Sequence, residues 1–152
     1  MIGTVRSSAE EPAARGAGAH EVLLNDQALS ERMKSLAPDG VDHIVEVAFG
    51  ANIDADVEVL KMGASIGAYA TDNATPKIPF WLLVFKNIRL FFLGSDDFPA
   101  EAKVAATRDL NDTLGAGWPG FEIGERIPLA EVARAHELVE HPVRRGRIVV
   151  TV

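Results

Sequence analysis

The stretch Val41-Asp-His-Ile-Val-Glu-Val-Ala-Phe-Gly50, Ala51-Asn-Ile-Asp-Ala-Asp-Val-Glu-Val-Leu60, Lys61-Met-Gly-Ala-Ser-Ile-Gly-Ala-Tyr-Ala70 sets two apolar runs around a helical pattern. His43 to Ala48 and Ser65 to Ala70 have the length and composition of strands. Between them Ile53, Val57 and Leu60 recur at i, i+4, i+7, one face of a helix that ends at Gly63. The two strand runs are continuously apolar rather than alternating, which predicts strands buried on both faces. Strand, helix and strand joined this closely make a βαβ unit, whose right-handed crossover leaves the strands parallel.

The same alternation extends in both directions. Upstream, Ile2 to Val5 and Glu21 to Leu24 read as strands, and Asn25 or Asp26 caps a helix carrying Leu29, Met33 and Leu36, stopped by Pro38-Asp39-Gly40. Downstream, Ile88 to Leu93 is a further strand, reached through a loop over 71–79 that strings together Asp72, Asn73, Pro76 and Pro79. Beyond it, Asp96 and Asp97 are placed to cap a longer helix with Val104, Thr107, Leu110 and Leu114 facing inward, ended by Gly115, Gly117 and Pro119. A last helix opens at Pro128, with Leu129, Val132, His136 and Val139 on one side. Pro142 follows it, and Arg147 to Val152 is strand-like. The expected fold is α/β, a mostly parallel sheet with helices on both faces.

Composition narrows the function. The chain has 152 residues, 47% of them apolar, with 15 Lys and Arg against 22 Asp and Glu for a net charge of −7, and no cysteine. A chain of this length can bury roughly two thirds of its unfolded surface without disulfides or structural metal. Thiol catalysis and zinc ribbons are excluded. Nucleic acid is not an expected partner, since phosphate binding needs a basic face and the longest basic cluster is Arg144, Arg145 and Arg147. No membrane span is expected either, because the longest apolar stretch, Ile78 to Leu93, contains Lys86, Asn87 and Arg89. With no basic, apolar leader at Met1, the expected location is the cytoplasm.

Two motifs mimic other chemistries. His136-Glu-Leu-Val-Glu-His141 resembles the zinc-protease His-Glu-x-x-His, but histidines five apart stand about 140° apart around a helix and cannot share one metal. Gly63-Ala-Ser-Ile-Gly67 fits the Gly-x-Ser-x-Gly pattern, but a nucleophile elbow needs a strand before the serine, and here Ser65 opens one. Gly16-Ala-Gly18 follows a helical stretch and leads into a strand, the reverse of a dinucleotide fingerprint, so it is a helix C-cap.

The segments Ile2-Gly-Thr-Val5, Arg15-Gly-Ala-Gly-Ala-His-Glu-Val22, Val41-Asp-His-Ile-Val-Glu-Val47, Gly63-Ala-Ser-Ile66, Ile127-Pro-Leu-Ala-Glu-Val-Ala-Arg-Ala-His-Glu137 and Gly146-Arg-Ile-Val149 occur in an order that resembles the C-terminal half of NADPH:quinone oxidoreductases. These are the zeta-crystallin-like members of the zinc-type alcohol dehydrogenase, or medium-chain dehydrogenase/reductase, superfamily. The resemblance covers nearly the whole chain and implies a Rossmann nucleotide-binding domain lacking its first strand and glycine-rich loop. Residues 1–120 would form that truncated domain, and 121–152 a helix and strand that in full-length relatives return toward the catalytic domain.

The resemblance implies NADPH as cofactor, without zinc, and a hydride transfer to a quinone or enone in the intact enzyme. Arg6 and Ser7, after the first strand, would meet the 2′-phosphate. A second reading has Ser8 capping the next helix with Glu11 as reciprocal partner and Arg6 merely exposed. The remaining cofactor positions would be Phe49 and Gly50, then Gly67, Ala68, Tyr69 and Ala70, then Phe92, Leu93 and Gly94. Phe49 and Phe92 also read as core aromatics. The resemblance further implies a homodimer through strand 88–93. In the order 3-2-1-4-5-6 the first strand is central, and Ile148 to Val152, or its copy from a second chain, is expected to take that place. The competing function is a non-catalytic, dimerising Rossmann remnant with a structural or interaction role.

Overall fold

The computed structural model describes residues 1–118, 121–141 and 146–152. Pro119, Pro142, Arg144 and Arg145 lie outside the described residues. The chain divides into two compact units, Met1–Phe98 and Pro99–Val152.

In the first unit the elements are β1 (Ile2–Val5), α1 (Glu11–Gly16), β2 (Glu21–Leu24), α2 (Leu29–Leu36), β3 (Val41–Glu46), α3 (Phe49–Val59), β4 (Leu60–Ala68), α4 (Phe80–Phe85) and β5 (Arg89–Phe92). β1 pairs with β2, and β3, β4 and β5 form a second sheet in that order. Every pairing is parallel. Register aligns Ile44 with Ile66 and Ile66 with Leu90. That row packs with Phe49, Ile53 and Val57 of α3 and with Leu83 of α4. Ile66 is fully buried, and full burial of a side chain of this size contributes about 1.5–3 kcal/mol.

The strand boundaries shift from the sequence reading for identifiable reasons. α3 ends at Val59 instead of running to Gly63. The Lys86 ammonium donates to the carbonyls of Val57 at 2.6 Å and Leu60 at 2.7 Å, capturing oxygens that a longer helix would have used. Gly40, at φ +84°, lies so close that a Cβ there would stand 2.7 Å from the Lys61 nitrogen, so only glycine lets the turn before β3 approach this junction. β4 therefore opens at Leu60 and loses register with β3 before resuming at His43 opposite Ser65.

α4 was not legible as a helix, since Phe80-Trp-Leu-Leu-Val-Phe85 is apolar on every side and has no period. It ends at Phe85 and is closed by Asn87, two residues on, which adopts φ +52° while Ile88 donates to the Leu83 carbonyl at 3.0 Å. Burial on both strand faces is not observed either. Ile44 and Ile66 face the core, but Val45 is 67% exposed and Val47 54%.

The second unit contains α5 (Ala100–Gly115), β6 (Ile123–Pro128), α6 (Val132–Glu140) and β7 (Arg147–Thr151). Asp96 and Asp97 belong to a separate 3₁₀ turn, and Pro99 is the N-cap of α5. Val104, Leu110 and Leu114, expected to face inward, are exposed, and α5 has no buried residue. A 3₁₀ turn over Leu129–Glu131 precedes α6, so the helix proper starts after the expected Pro128. β6 was missed because charged residues interrupt its apolar ones.

β6 also decides the fate of the C-terminal segment. It pairs in parallel with β7, with Ile127 opposite Val150. The expectation that Ile148 to Val152 lies between β1 and β3 is therefore overturned, because β7 finds its partner within its own unit. Ile127 and Ala135 are buried there.

Candidate functional site

The carboxyl ends of β3, β4 and β5 converge on one cleft of about 560 Å³. Its walls are Phe49 at the start of α3, then Ala68, Tyr69, Ala70 and Thr71 after β4, Pro76 in the following loop, and Phe92, Leu93 and Gly94 after β5. Backbone bonds hold these segments together. The Leu93 amide donates to the Ala68 carbonyl at 2.9 Å, Tyr69 to Glu46 at 3.2 Å, and Phe49 to Ala70 at 3.2 Å. Phe49 and Phe92 meet edge to face, ring centroids 5.4 Å apart, an arrangement aromatic quadrupoles favour. Phe49 is buried while Phe92 is 68% exposed, so the first ring anchors and the second presents its surface.

The fold thus brings Phe49, Ala68, Tyr69, Ala70, Phe92, Leu93 and Gly94 together. Gly50 and Gly67 do not line the cleft. Gly50 is packed by the loop: its amide donates to the Thr71 hydroxyl at 3.2 Å, and a Cβ there would lie 2.4 Å from Asp72 Oδ1. A Cβ at Gly67 would lie 3.6 Å from both the His43 ring and the Leu93 side chain, on the face of the sheet away from the core. His43 Nδ1 and the Ser65 hydroxyl lie 2.8 Å apart on that side, and Ser65 sits within β4, so it forms no nucleophile elbow.

Arg6 and Ser7 form a separate group at the end of β1. The cap of the following turn is Ser7 with Glu10, one residue earlier than the Ser8 and Glu11 pair. Glu10 Oε2 accepts from the Arg6 amide at 2.9 Å and the Ser7 amide at 3.3 Å. Those backbone donors are thereby used. The exposed Arg6 guanidinium has no hydrogen-bond or ion-pair partner among the described residues.

Glu46 at the end of β3 and the half-buried Asp56 of α3 form an acidic pair that the residue pattern does not announce. Glu46 is 5% exposed. It accepts from the Ala48 amide and from Asn52 Nδ2, and so serves the N-terminus of α3, where a negative charge is favoured. Of the two Asp56 oxygens, Oδ2 is sealed from solvent and has no well-aligned hydrogen bond among the described residues. Burial, then the charge of Glu46, then a hydrogen bond to it push the Asp56 carboxyl up to about 8. Asp56 therefore carries its proton at neutral pH. The available signal was Glu46 itself, an acid inside an otherwise apolar strand run.

A family profile described as zinc-binding dehydrogenase matches residues 17–150. A quinone oxidoreductase from Lama guanicoe is 25% identical over 147 residues, covering 93% of this chain and 43% of that protein. Among solved structures, a mycobacterial quinone oxidoreductase matches with TM-score 0.85 at 21% identity, over 99% of this chain and 48% of its own. The Escherichia coli quinone oxidoreductase, solved in complex with NADPH, matches with TM-score 0.81 at 21% identity, over 99% and 49%. The chain spans less than half the length of these relatives and corresponds to their C-terminal half.

The family's name implies zinc, but the described residues contain no group of three or more His, Cys, Asp or Glu able to hold a metal ion. His141 lies beyond the end of α6 and adds no such group. No chemical step of this chain is assigned to zinc. In its family profile and its parallel α/β architecture, the chain belongs to the zinc-binding dehydrogenase family, with the Rossmann-like fold of the C-terminal half of these relatives.

Proposed function

We propose that this chain is the NADPH-binding portion of a zinc-free, cytoplasmic oxidoreductase that in its intact form passes hydride to a quinone or enone. The observation that carries this reading is the convergence of three parallel strand ends on one largely apolar cleft, the place where open α/β sheets bind ligands. NADPH supplies the hydride chemistry when bound. The chain's own part is positional. Phe49 and Phe92 form an apolar wall against a flat ring, Gly94 leaves the backbone open to close approach, and Tyr69 closes the mouth. Residues 1–120 are assigned to the nucleotide-binding portion and 121–152 to the segment leading back toward a catalytic domain.

Calorimetric titration with NADPH and NADH tests this directly. NADPH is expected to bind the more tightly of the two, because Arg6 offers a planar donor fork to a 2′-phosphate. Arg6→Ala should weaken NADPH by about tenfold, or ~1.4 kcal/mol, and leave NADH unchanged. Glu10→Gln should move NADPH the other way by removing a negative charge from the carboxylate that accepts from the Arg6 and Ser7 amides at the same strand end. Equal affinity for the two dinucleotides would remove Arg6 from the site, and no binding of either would end the cofactor reading.

The same reading includes a homodimer through β5. Among the described residues this strand pairs only with β4, and it carries Phe91 and Phe92, exposed at 49% and 68%. Trp81 and Phe85 of α4, stacked with centroids 5.9 Å apart, add to the exposed apolar surface. An edge of this kind invites strand pairing. Light scattering at micromolar concentration should report a dimer for wild type and a monomer for Phe91→Lys. A monomeric wild type would refute the dimer.

A further inference from the structure

We propose that Glu46 is a positioning residue of the cleft: with Asn52 it ties the start of α3 to the ends of β3 and β4, and so sets where Phe49 and Tyr69 stand. This rests on the cofactor reading for what enters the cleft, though not for the geometry.

The need for such a residue lies in the sequence of α3. Its N-cap is Ala48, which has no side-chain oxygen to offer the orphan amides of the first turn. Those amides are served from other segments. Phe49 donates to the Ala70 carbonyl and Gly50 to the Thr71 hydroxyl, each at 3.2 Å, so the helix start is fastened to the chain that leaves β4. The Ala48 amide itself donates to Glu46 Oε1. Asn52, in the first turn of α3, turns its Nδ2 back toward both carboxylate oxygens, 3.1 Å from each.

Glu46 acts through its backbone as well. Its carbonyl accepts from the Tyr69 amide at 3.2 Å, and register sets it opposite Ala68. One residue is therefore bonded to Ala48, the neighbour of Phe49 on one wall of the cleft, and to Tyr69 on the other. Among the described residues Glu46 is the one charged residue that is buried. Taking a carboxylate out of water is unfavourable unless hydrogen bonds replace its hydration, and the bonds that do so here are those that fix the helix start. The apolar core has no use for an acid at this position, since Ile53, Val57, Ile66 and Leu83 pack with one another without it. The Asp56 carboxyl, one turn beyond Asn52 on α3, interacts with the same group.

The test uses the full 152-residue chain and reads amide hydrogen exchange by NMR, without dinucleotide, in wild type, Glu46→Gln, Asn52→Ala and Val57→Ala. Each rate is taken relative to the Ile66 amide in the middle of β4, which cancels any general loss of stability. Glu46→Gln should speed the Phe49 and Tyr69 amides about tenfold on that scale, although neither amide bonds to the substituted side chain. Asn52→Ala should move both in the same direction by less, and it decides the matter by itself if Glu46→Gln does not fold. Val57→Ala, which removes core packing two turns further along the same helix, should leave both ratios as in wild type. Phe49 and Tyr69 amides that keep pace with Ile66 in the Glu46 and Asn52 variants overturn the proposal. Calorimetry adds a second readout at a temperature where circular dichroism shows every variant folded. There Glu46→Gln should weaken NADPH about tenfold and Val57→Ala should not. Equal weakening by the two would reduce Glu46 to a stabilising residue and overturn the proposal as well. If wild type binds no dinucleotide, the cofactor reading fails, and the exchange ratios still decide the role of Glu46.

Discussion

Asp56→Asn is expected to stabilise the protein at alkaline pH and to flatten its pH dependence between about pH 4 and 8. In the folded chain the Asp56 carboxyl titrates near 8, against an ordinary value of 3.8. Folding therefore holds a proton that the unfolded chain releases above pH 4. Stability from this group is fully present below pH 4 and is lost as pH rises toward 8, at up to ~1.4 kcal/mol per pH unit. Above pH 8 the native state has to hold two buried carboxylates side by side, Asp56 and Glu46. Asparagine keeps the shape and carries no charge, so at pH 9 the variant should exceed wild type by several kcal/mol, and at pH 4 the difference should be small. Urea denaturation midpoints at pH 4, 7 and 9 measure this. Parallel pH profiles for the two proteins would show that Asp56 is ionised throughout and that the pair is not coupled.

Phe49→Ala should have the largest effect of any single change at the cleft. Phe49 is 1% exposed, packs with Ile53, Val57 and Ile66, and supports the Phe92 ring edge to face. Truncating a buried phenylalanine removes its transfer free energy and leaves a cavity, a loss of about 3–5 kcal/mol. Phe92→Ala is the informative contrast. Its ring is mostly exposed, so it should cost about 1 kcal/mol or less in stability, yet on the cofactor reading it should weaken NADPH about as much as any cleft substitution that leaves the fold intact. Denaturation and calorimetry on both variants separate the anchoring ring from the presenting one. If Phe92→Ala binds dinucleotide as wild type does, the ring is not part of the site.

Much of the site could be read from residue order. The family resemblance pointed to Ala68, Tyr69, Ala70, Phe92, Leu93 and Gly94, and these positions accord with the rule that ligands of an open parallel sheet gather at strand carboxyl ends. Glycines were harder to place, because a missing side chain says that something comes close without saying what. At Gly50 it is the 71–73 loop, and at Gly67 it is His43. Arg6 and Ser7 were legible as polar groups at a strand end, but that Glu10 would take their backbone donors depends on the turn geometry that folds it back.

By itself the sequence determined most of the local elements, though not α4 or β6, and their parallel kind, since short apolar runs alternating with helical periods are arranged most economically as a parallel sheet. It determined the family as well, through ordered short segments spread along nearly the whole chain. Where those elements pair was a tertiary matter. Backbone donors carry no side-chain signature, so only the assembled sheets show that β7 pairs with β6, that among the described residues β1 pairs with β2 alone and β3 with β4 alone, and that Glu46 and Asp56, ten positions apart, meet closely enough for the one to raise the Asp56 carboxyl.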